Sequence, residues 1–371
     1  MAPLEPYEKI YVSTAFLDTE HGRLGCETCH GGNPQDPNWQ TAHEGIVKDP
    51  TFPDPANACG QCHDEIAATA AQNLHYTLAT FDRTLLQRMS PVEAIQEKVI
   101  AAREKHCTQC HASCGQCHVS RPNYVRGGLL AKHIFRKSPR MDVTCAGCHG
   151  GRVFGEYTGL NEKYASDVHF EKKAMACTAC HPADQIHANP GEVASRFDVP
   201  RHPTCLQCHS EVQAENTPNE AHRLHRQKLA CQVCHAQANK NCFACHVGTD
   251  QKGLPYYKCR KTVMLLKIGL NPTKTAERPY EFVVLRHPPA DPGLFDHYVK
   301  NGLARFDNLP TWKPATPHNI RRNTEQNQSC NNCHGNPSLF LHPLDMEEGE
   351  LSANKSVIVP DNRIPRKLTD R

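Results

Sequence analysis

The sequence predicts a mostly irregular fold with short α-helices and few β-strands, its core formed by bound groups rather than by side chains. Three observations carry that expectation. The first is a shortage of ordinary core material: of 371 residues only 38% are apolar, 21 Cys included, and only 6% are aromatic. The mean hydropathy is −0.62, and 28 Pro and 22 Gly interrupt regular elements. By side chains alone such a chain is close to one that cannot offset its own ordering entropy. The second is the use of cysteine, since all but one of the 21 fall in the pattern Cys-x-x-Cys-His. The third is the density of that pattern, which leaves room only for short helices and irregular connections.

The copies run the length of the chain. CETCH (Cys26, Cys29, His30) and CGQCH (Cys59, Cys62, His63) come first. HCTQCHASCGQCHV then holds two copies in tandem, Cys107, Cys110, His111 and Cys114, Cys117, His118. CAGCH (Cys145, Cys148, His149), CTACH (Cys177, Cys180, His181) and CLQCH (Cys205, Cys208, His209) follow. CQVCH (Cys231, Cys234, His235), CFACH (Cys242, Cys245, His246) and CNNCH (Cys330, Cys333, His334) complete the set, and only Cys259 stands outside. Composition alone predicts about 0.08 copies, against ten present.

The spacing has a chemical reason. Two cysteines three positions apart reach the two vinyl groups of one porphyrin as thioethers, and the following histidine places its imidazole under the iron. Zinc also uses Cys-x-x-Cys but takes four ligands from paired half-sites. A disulfide framework needs no histidine at a fixed offset, and thioredoxin-like motifs occur singly. The core-forming groups are therefore expected to be porphyrins.

With these motifs, and with phrases such as HGRLGCETCHGG (His21–Gly32), DVHFEKKAMACTACH (Asp167–His181) and HRLHRQKLACQVCH (His222–His235), the chain resembles the multihaem c-type cytochromes of anaerobic respiring prokaryotes. That family includes periplasmic and extracellular members, filament-forming cytochrome nanowires among them. The resemblance implies haem attachment outside the cytoplasm. The N-terminus MAPLEPYEKIYV lacks the apolar stretch of a signal peptide, so a removed export leader is expected.

Distal ligands are the next requirement. Of 24 histidines, ten belong to motifs and 14 do not. His21, His169 and His225 lie shortly before a motif, where the family often places distal ligands. His43, His75, His133 and His187 flank motifs, and His222 pairs with His225 at helical i, i+3 spacing. His318 and His342 are candidates for the last haem because they are near it in sequence. His106 and His202 abut motifs as ligands or supporting groups, while His287 and His297 are balanced against a plain surface role. Mostly bis-histidine, low-potential haems are expected, a Met ligand being the higher-potential variant.

Residues 1–250 form a region with nine motifs, 251–329 a haem-free segment with β-prone runs, and 330–371 the last motif and a polar tail. Residues 91–107 repeat apolar positions at Val92, Ile95, Val99 and Ala102 and predict a helix; residues 64–89 predict a second. TVMLLKIGL and YEFVVLRH read as β-prone runs, and SVIVP (Ser356–Pro360) as a short strand in an otherwise frayed tail or one that adds to a neighbour.

The formal charge of +3, with both signs interspersed, gives no support for nucleic-acid binding. The longest apolar run, around Thr262–Leu270, is broken by Lys267 and too short to span a membrane. Ten ferric haems with ionised propionates, about −1 each, would bring the holoprotein to roughly −7.

Electron transfer without substrate chemistry is the expected function, with redox proteins as partners, and with copies of the chain itself as partners in the filament version. The alternative is a multihaem oxidoreductase acting on nitrite, hydroxylamine or sulfur oxyanions, which needs one iron with an open position. Cys259 in YYKCRK makes no Cys-x-x-Cys-Lys motif, so no lysine-ligated haem is expected. In the tandem stretch, Cys107 and Cys114 are roughly 10 Å apart if helical and about 23–25 Å if extended. Either accommodates two haems, giving ten in all; nine would leave a thiol pair or disulfide there.

Overall fold

The computed structural model describes residues 4–106, 112–161, 163–187, 196–197, 199, 202–242, 248–258, 262–276, 278–288 and 291–369. Cys107, Cys110, His111, Cys245, His246 and Cys259 lie outside the described residues. The chain divides into two compact units. One comprises Met1–Arg83, His106–Cys148 and Ala176–His202; the other comprises Thr84–Lys105, His149–Met175 and Pro203–Arg371.

Both units are built mainly from single helical turns, and the motifs are those turns. Cys26–His30, Cys114–His118, Cys177–Cys180, Cys231–His235 and Cys330–Cys333 are short α-helices. Cys59–Gln61 and Cys205–Gln207 are 3₁₀ turns. A helical turn puts residues three apart on one face, so each cysteine pair points the same way. Gly25 and Gly31 bracket the first turn at φ +86° and +74°, a left-handed backbone that L side chains resist.

The first unit has little apolar packing. Apart from prolines, the buried apolar side chains among its described residues are Phe16, Ala67, Leu78 and Val119. Polar ties hold its loops instead: Ser113 Oγ donates to Asp49 Oδ2 at 2.9 Å, and the Tyr76 hydroxyl donates to the Pro53 carbonyl at 2.6 Å. Residues 64–89 form three pieces rather than one helix: Asp64–Ala70, Leu74–Thr77 and Ala79–Arg88. The breaks fall at Asn73, whose side chain caps a new turn by accepting from His75 N, and at Leu78, φ +54°.

The second unit carries the sheet. β1 (Asn239–Lys240) pairs antiparallel with β2 (Met264–Leu265). β3 (Lys267–Leu270), β4 (Phe282–Arg286) and β5 (Lys313–Pro314) form an antiparallel sheet in that order, with Ile268 opposite Val284. Phe282, Val283, Val284 and Leu285 are all buried. This run does not alternate with polar residues because both faces of β4 are covered. Gly269 is required by close approach, since a Cβ there would sit 2.1 Å from Leu285 Cδ1.

The SVIVP segment forms no strand. Val357, Ile358 and Val359 pack into the same cluster as Ile268, Leu285, Trp312, Phe340 and Leu341. Leu270 N donates to Val357 O and Val359 N to Leu341 O, both at 2.9 Å. The C-terminal stretch is thus folded onto its own unit rather than frayed. The predicted helix over 91–107 is present as Glu93–His106, and its Val99 and Ala102 pack with Met89, Tyr257, Phe295, Leu303 and Phe306. Among the described residues, no helix is long and apolar enough to cross a membrane.

Leu285 is fully buried in the larger cluster. Leu285→Ala is therefore expected to destabilise this unit by about 2–5 kcal/mol, read as lost amide-exchange protection along β4. Unchanged protection would place the unit's stability elsewhere.

Candidate functional site

Six motif histidines each face a histidine from outside the motifs. Ring centroids are 6.3 Å apart for His63 and His21, 6.0 Å for His30 and His133, and 6.1 Å for His118 and His187. They are 6.1 Å apart for His209 and His169, for His235 and His222, and for His334 and His225. A seventh motif histidine, His181, lies close enough to His75 to disfavour its protonation.

The separation is informative. With metal–nitrogen bonds of about 2.0–2.1 Å, and about 1.1 Å from nitrogen to ring centre, two imidazoles on opposite sides of one ion sit roughly 6.2–6.4 Å apart. Unconstrained aromatic pairs range over about 4.5–7 Å. The six pairs fall in a far narrower band, and each joins one motif histidine to one non-motif histidine. The residues fit a shared metal in each gap.

The orientation of the rings agrees. Nδ1 lies 2.7 Å from the Val47 carbonyl in His30 and 2.6 Å from the Arg136 carbonyl in His118. It lies 3.1 Å from the Arg321 carbonyl in His235 and 2.9 Å from the Ala221 carbonyl in His225. A carbonyl only accepts, so Nδ1 carries the proton and Nε2 keeps its lone pair, the tautomer a metal ligand needs. In His169, Nδ1 donates to Asp167 Oδ1 at 2.8 Å, while Asp167 Oδ2 accepts from Ile320 N at 2.8 Å. His181 Nδ1 lies 2.9 Å from Gln185 Oε1. Burial pushes the basicity of His75, His133, His187 and His222 down, and the facing imidazole adds to the effect. Each is thereby favoured in the neutral form.

The remaining candidates divide. His43 and His318 have the same anchor, Nδ1 lying 2.5 Å from Trp39 O and 2.9 Å from Thr316 O. His149 ends the turn Ala146–His149, and His106 ends the helix Glu93–His106. His342 uses both nitrogens, Nδ1 accepting from Leu344 N at 3.2 Å and Nε2 lying 3.1 Å from Asp361 Oδ1. His287 directs Nε2 at Glu350 Oε1, 2.8 Å away, and His297 sits 3.9 Å from Asp250. The ring that faces His334 is that of His225.

None of the seventeen described cysteines forms a disulfide. First cysteines of different motifs touch, Cys59 with Cys114, Cys145 with Cys177, and Cys205 with Cys231. Burial pushes Cys117 and Cys234 up to about 11, so neither is a ready thiolate ligand. Among the described residues, no group of three or more His, Cys, Asp or Glu converges as a metal site. Two protein ligands per gap are too few for structural zinc; they suit an ion whose other four positions a porphyrin fills.

The supporting groups, Asp167 and Gln185 and the carbonyls of Val47, Arg136 and Arg321, were not legible in the sequence. Only Asp167 left a trace, as the Asp two residues before His169 that caps the turn Val168–Lys173. No protein-family model, no curated protein and no solved structure matches the chain.

Proposed function

We propose that the chain is an extracytoplasmic multihaem c-type cytochrome that carries electrons along a row of covalently held, bis-histidine haems, one per Cys-x-x-Cys-His motif. The observation that supports it is the set of six ring pairs at 6.0–6.3 Å, each joining a motif histidine to one from elsewhere. When bound, haem supplies an iron that cycles between ferric and ferrous states without making or breaking a covalent bond.

The chain's own residues do the rest. Paired cysteines would hold each porphyrin, and at the six paired motifs the motif histidine and the histidine facing it would both ligate the iron. Such a pair leaves no position there for a substrate, which favours carriage over turnover. The motif contacts also support a path. Cys29 lies near Cys59 and Cys62, Cys59 touches Cys114, Cys117 lies near Cys145, and Cys145 touches Cys177. In the other unit Cys205 touches Cys231, and Cys234 lies near Cys333. The tenth motif thus adjoins the eighth, out of sequence order. His222 and His225, on one short helix Glu220–His225, serve those same two motifs and fix their spacing.

Redox proteins are the proposed partners, with further copies of the chain stacked end to end as the extracellular form. Negative-stain images holding only dispersed particles at high concentration would overturn the filament. Intact mass tests the cofactor: the native protein is expected ten haems above its 41.4 kDa polypeptide. Nine would assign one haem to the tandem stretch, and none would overturn the reading.

A further inference from the structure

Next to the ninth motif lies a buried cluster of charges that haem attachment does not use. Arg152 and Glu156 are each only 1% exposed, with Arg152 Nε 3.2 Å from Glu156 Oε1. Arg152 Nε also donates to Lys240 O at 3.0 Å and its Nη2 to Thr316 O at 3.5 Å. Glu156 accepts from Lys240 N at 3.2 Å and from His318 N at 3.1 Å. Arg286, at the end of β4, donates from Nη1 to Asn241 O at 3.2 Å. The three side chains therefore grip Lys240 and Asn241, the two residues before Cys242, and the backbone of the candidate ligand His318. Cys242 is itself seated, its Sγ 2.7 Å from Thr262 Oγ1.

Desolvation, and then the neighbouring Arg152, lower the Arg286 guanidinium to about 10, which still leaves it charged at neutral pH. Burial raises Glu156. With two guanidiniums against one carboxyl, the cluster is net positive whether Glu156 is ionised or neutral. A Cys242 thioether carries no charge, so the thioether itself does not cancel that excess. Buried charge is costly, and one use for it beside a redox centre is to set a potential.

We propose that Arg152, Arg286 and Glu156 form a cationic cluster that raises the reduction potential of the haem attached through Cys242. The inference rests on the reading of the chain as a multihaem cytochrome. The sign follows from charge: oxidation adds a positive charge at the iron, and nearby guanidiniums oppose it. A unit charge about 10 Å from a redox centre, at an effective dielectric near 20, changes its equilibrium constant roughly tenfold. The cluster gives this haem a place at the high-potential end of the row, where electrons reside longest.

The test is a pair of opposite substitutions in the native, haem-loaded protein, each followed by spectropotentiometric titration and intact mass. Arg286→Gln is expected to lower one one-electron component by a tenfold change in its equilibrium constant, about 59 mV, leaving the others in place. Glu156→Gln is expected to move the same component upward if Glu156 is ionised and to leave it in place if neutral, a downward move counting against the cluster, and Arg286→Lys is expected to keep it near its original position. Titrations that superimpose on the parent in both glutamine variants, at full haem content, would overturn the cluster's role alone. A parent protein without haem would instead overturn the cytochrome reading beneath it.

Discussion

Produced without haem attachment, its thiols kept reduced, the chain is expected to lose the unit formed by Met1–Arg83, His106–Cys148 and Ala176–His202 while keeping the sheet of the other. The asymmetry lies in what each unit buries. The sheet unit has Ile268, Val284, Leu285, Trp312, Leu341, Val357 and Val359 in one cluster, where each large side chain contributes about 1.5–3 kcal/mol. The motif-rich unit has Phe16, Ala67, Leu78 and Val119, which cannot offset the ordering of a segment that long. Its helices are mostly single turns, too short to persist alone, and ties such as Ser113 to Asp49 bridge loops that have no core beneath them. Cofactor binding is then folding free energy for this unit, as in small metal-dependent domains. Hydrogen exchange on the haem-loaded and haem-free chains checks it. Protection is expected to fall to the unfolded level around Cys26–His30 and Cys114–His118 and to survive along β3 and β4. Equal protection of the first unit in both forms would show that its polypeptide packing suffices.

The same imbalance explains what could be read from the sequence. The motifs repeat one fixed spacing, so every motif cysteine and histidine stood out in the sequence, as did the scarcity of side-chain core. The helix Glu93–His106 and the hairpin of β3 and β4 followed from ordinary periodicity and β-propensity. The pairing of the histidine rings did not. His30 meets His133 and His225 meets His334 across long stretches of chain, and no local pattern encodes such partners. Around the last motif, the ring that faces His334 comes from His225, while the sequence-near His342 contacts Leu344 and Asp361 through its two nitrogens. Residues 64–89 look continuously helical because composition does not reveal that Asn73 recaps the chain to set His75 in place. SVIVP read as a short strand in a frayed tail because its hydrogen-bond partners, Leu270 and Leu341, lie in other segments. The cluster of Arg152, Glu156 and Arg286 left no signal at all.

Replacing His169 by alanine is expected to turn one haem of the native protein from six-coordinate low-spin to a form with an open position that takes up carbon monoxide or cyanide. The site allows little compensation. Asp167, itself buried, fixes the His169 ring through Nδ1 at 2.8 Å, and the ring faces His209 at 6.1 Å. Once the ring is removed, His209 would be left alone at that gap, and Asp167 keeps its bond to Ile320 N at 2.8 Å, so the surrounding backbone stays tied. One ligand-binding equivalent per chain is expected in the variant and none in the parent. His169→Met should stay six-coordinate and raise the potential of that haem instead. His342→Ala is the contrast: its ring nitrogens are already engaged, so no new binding is expected. Equal uptake by the His169→Ala variant and the parent would remove His169 from the ligand set. Uptake by the parent itself would favour a reductase over a carrier, because bis-histidine ligation throughout leaves a substrate nowhere to bind.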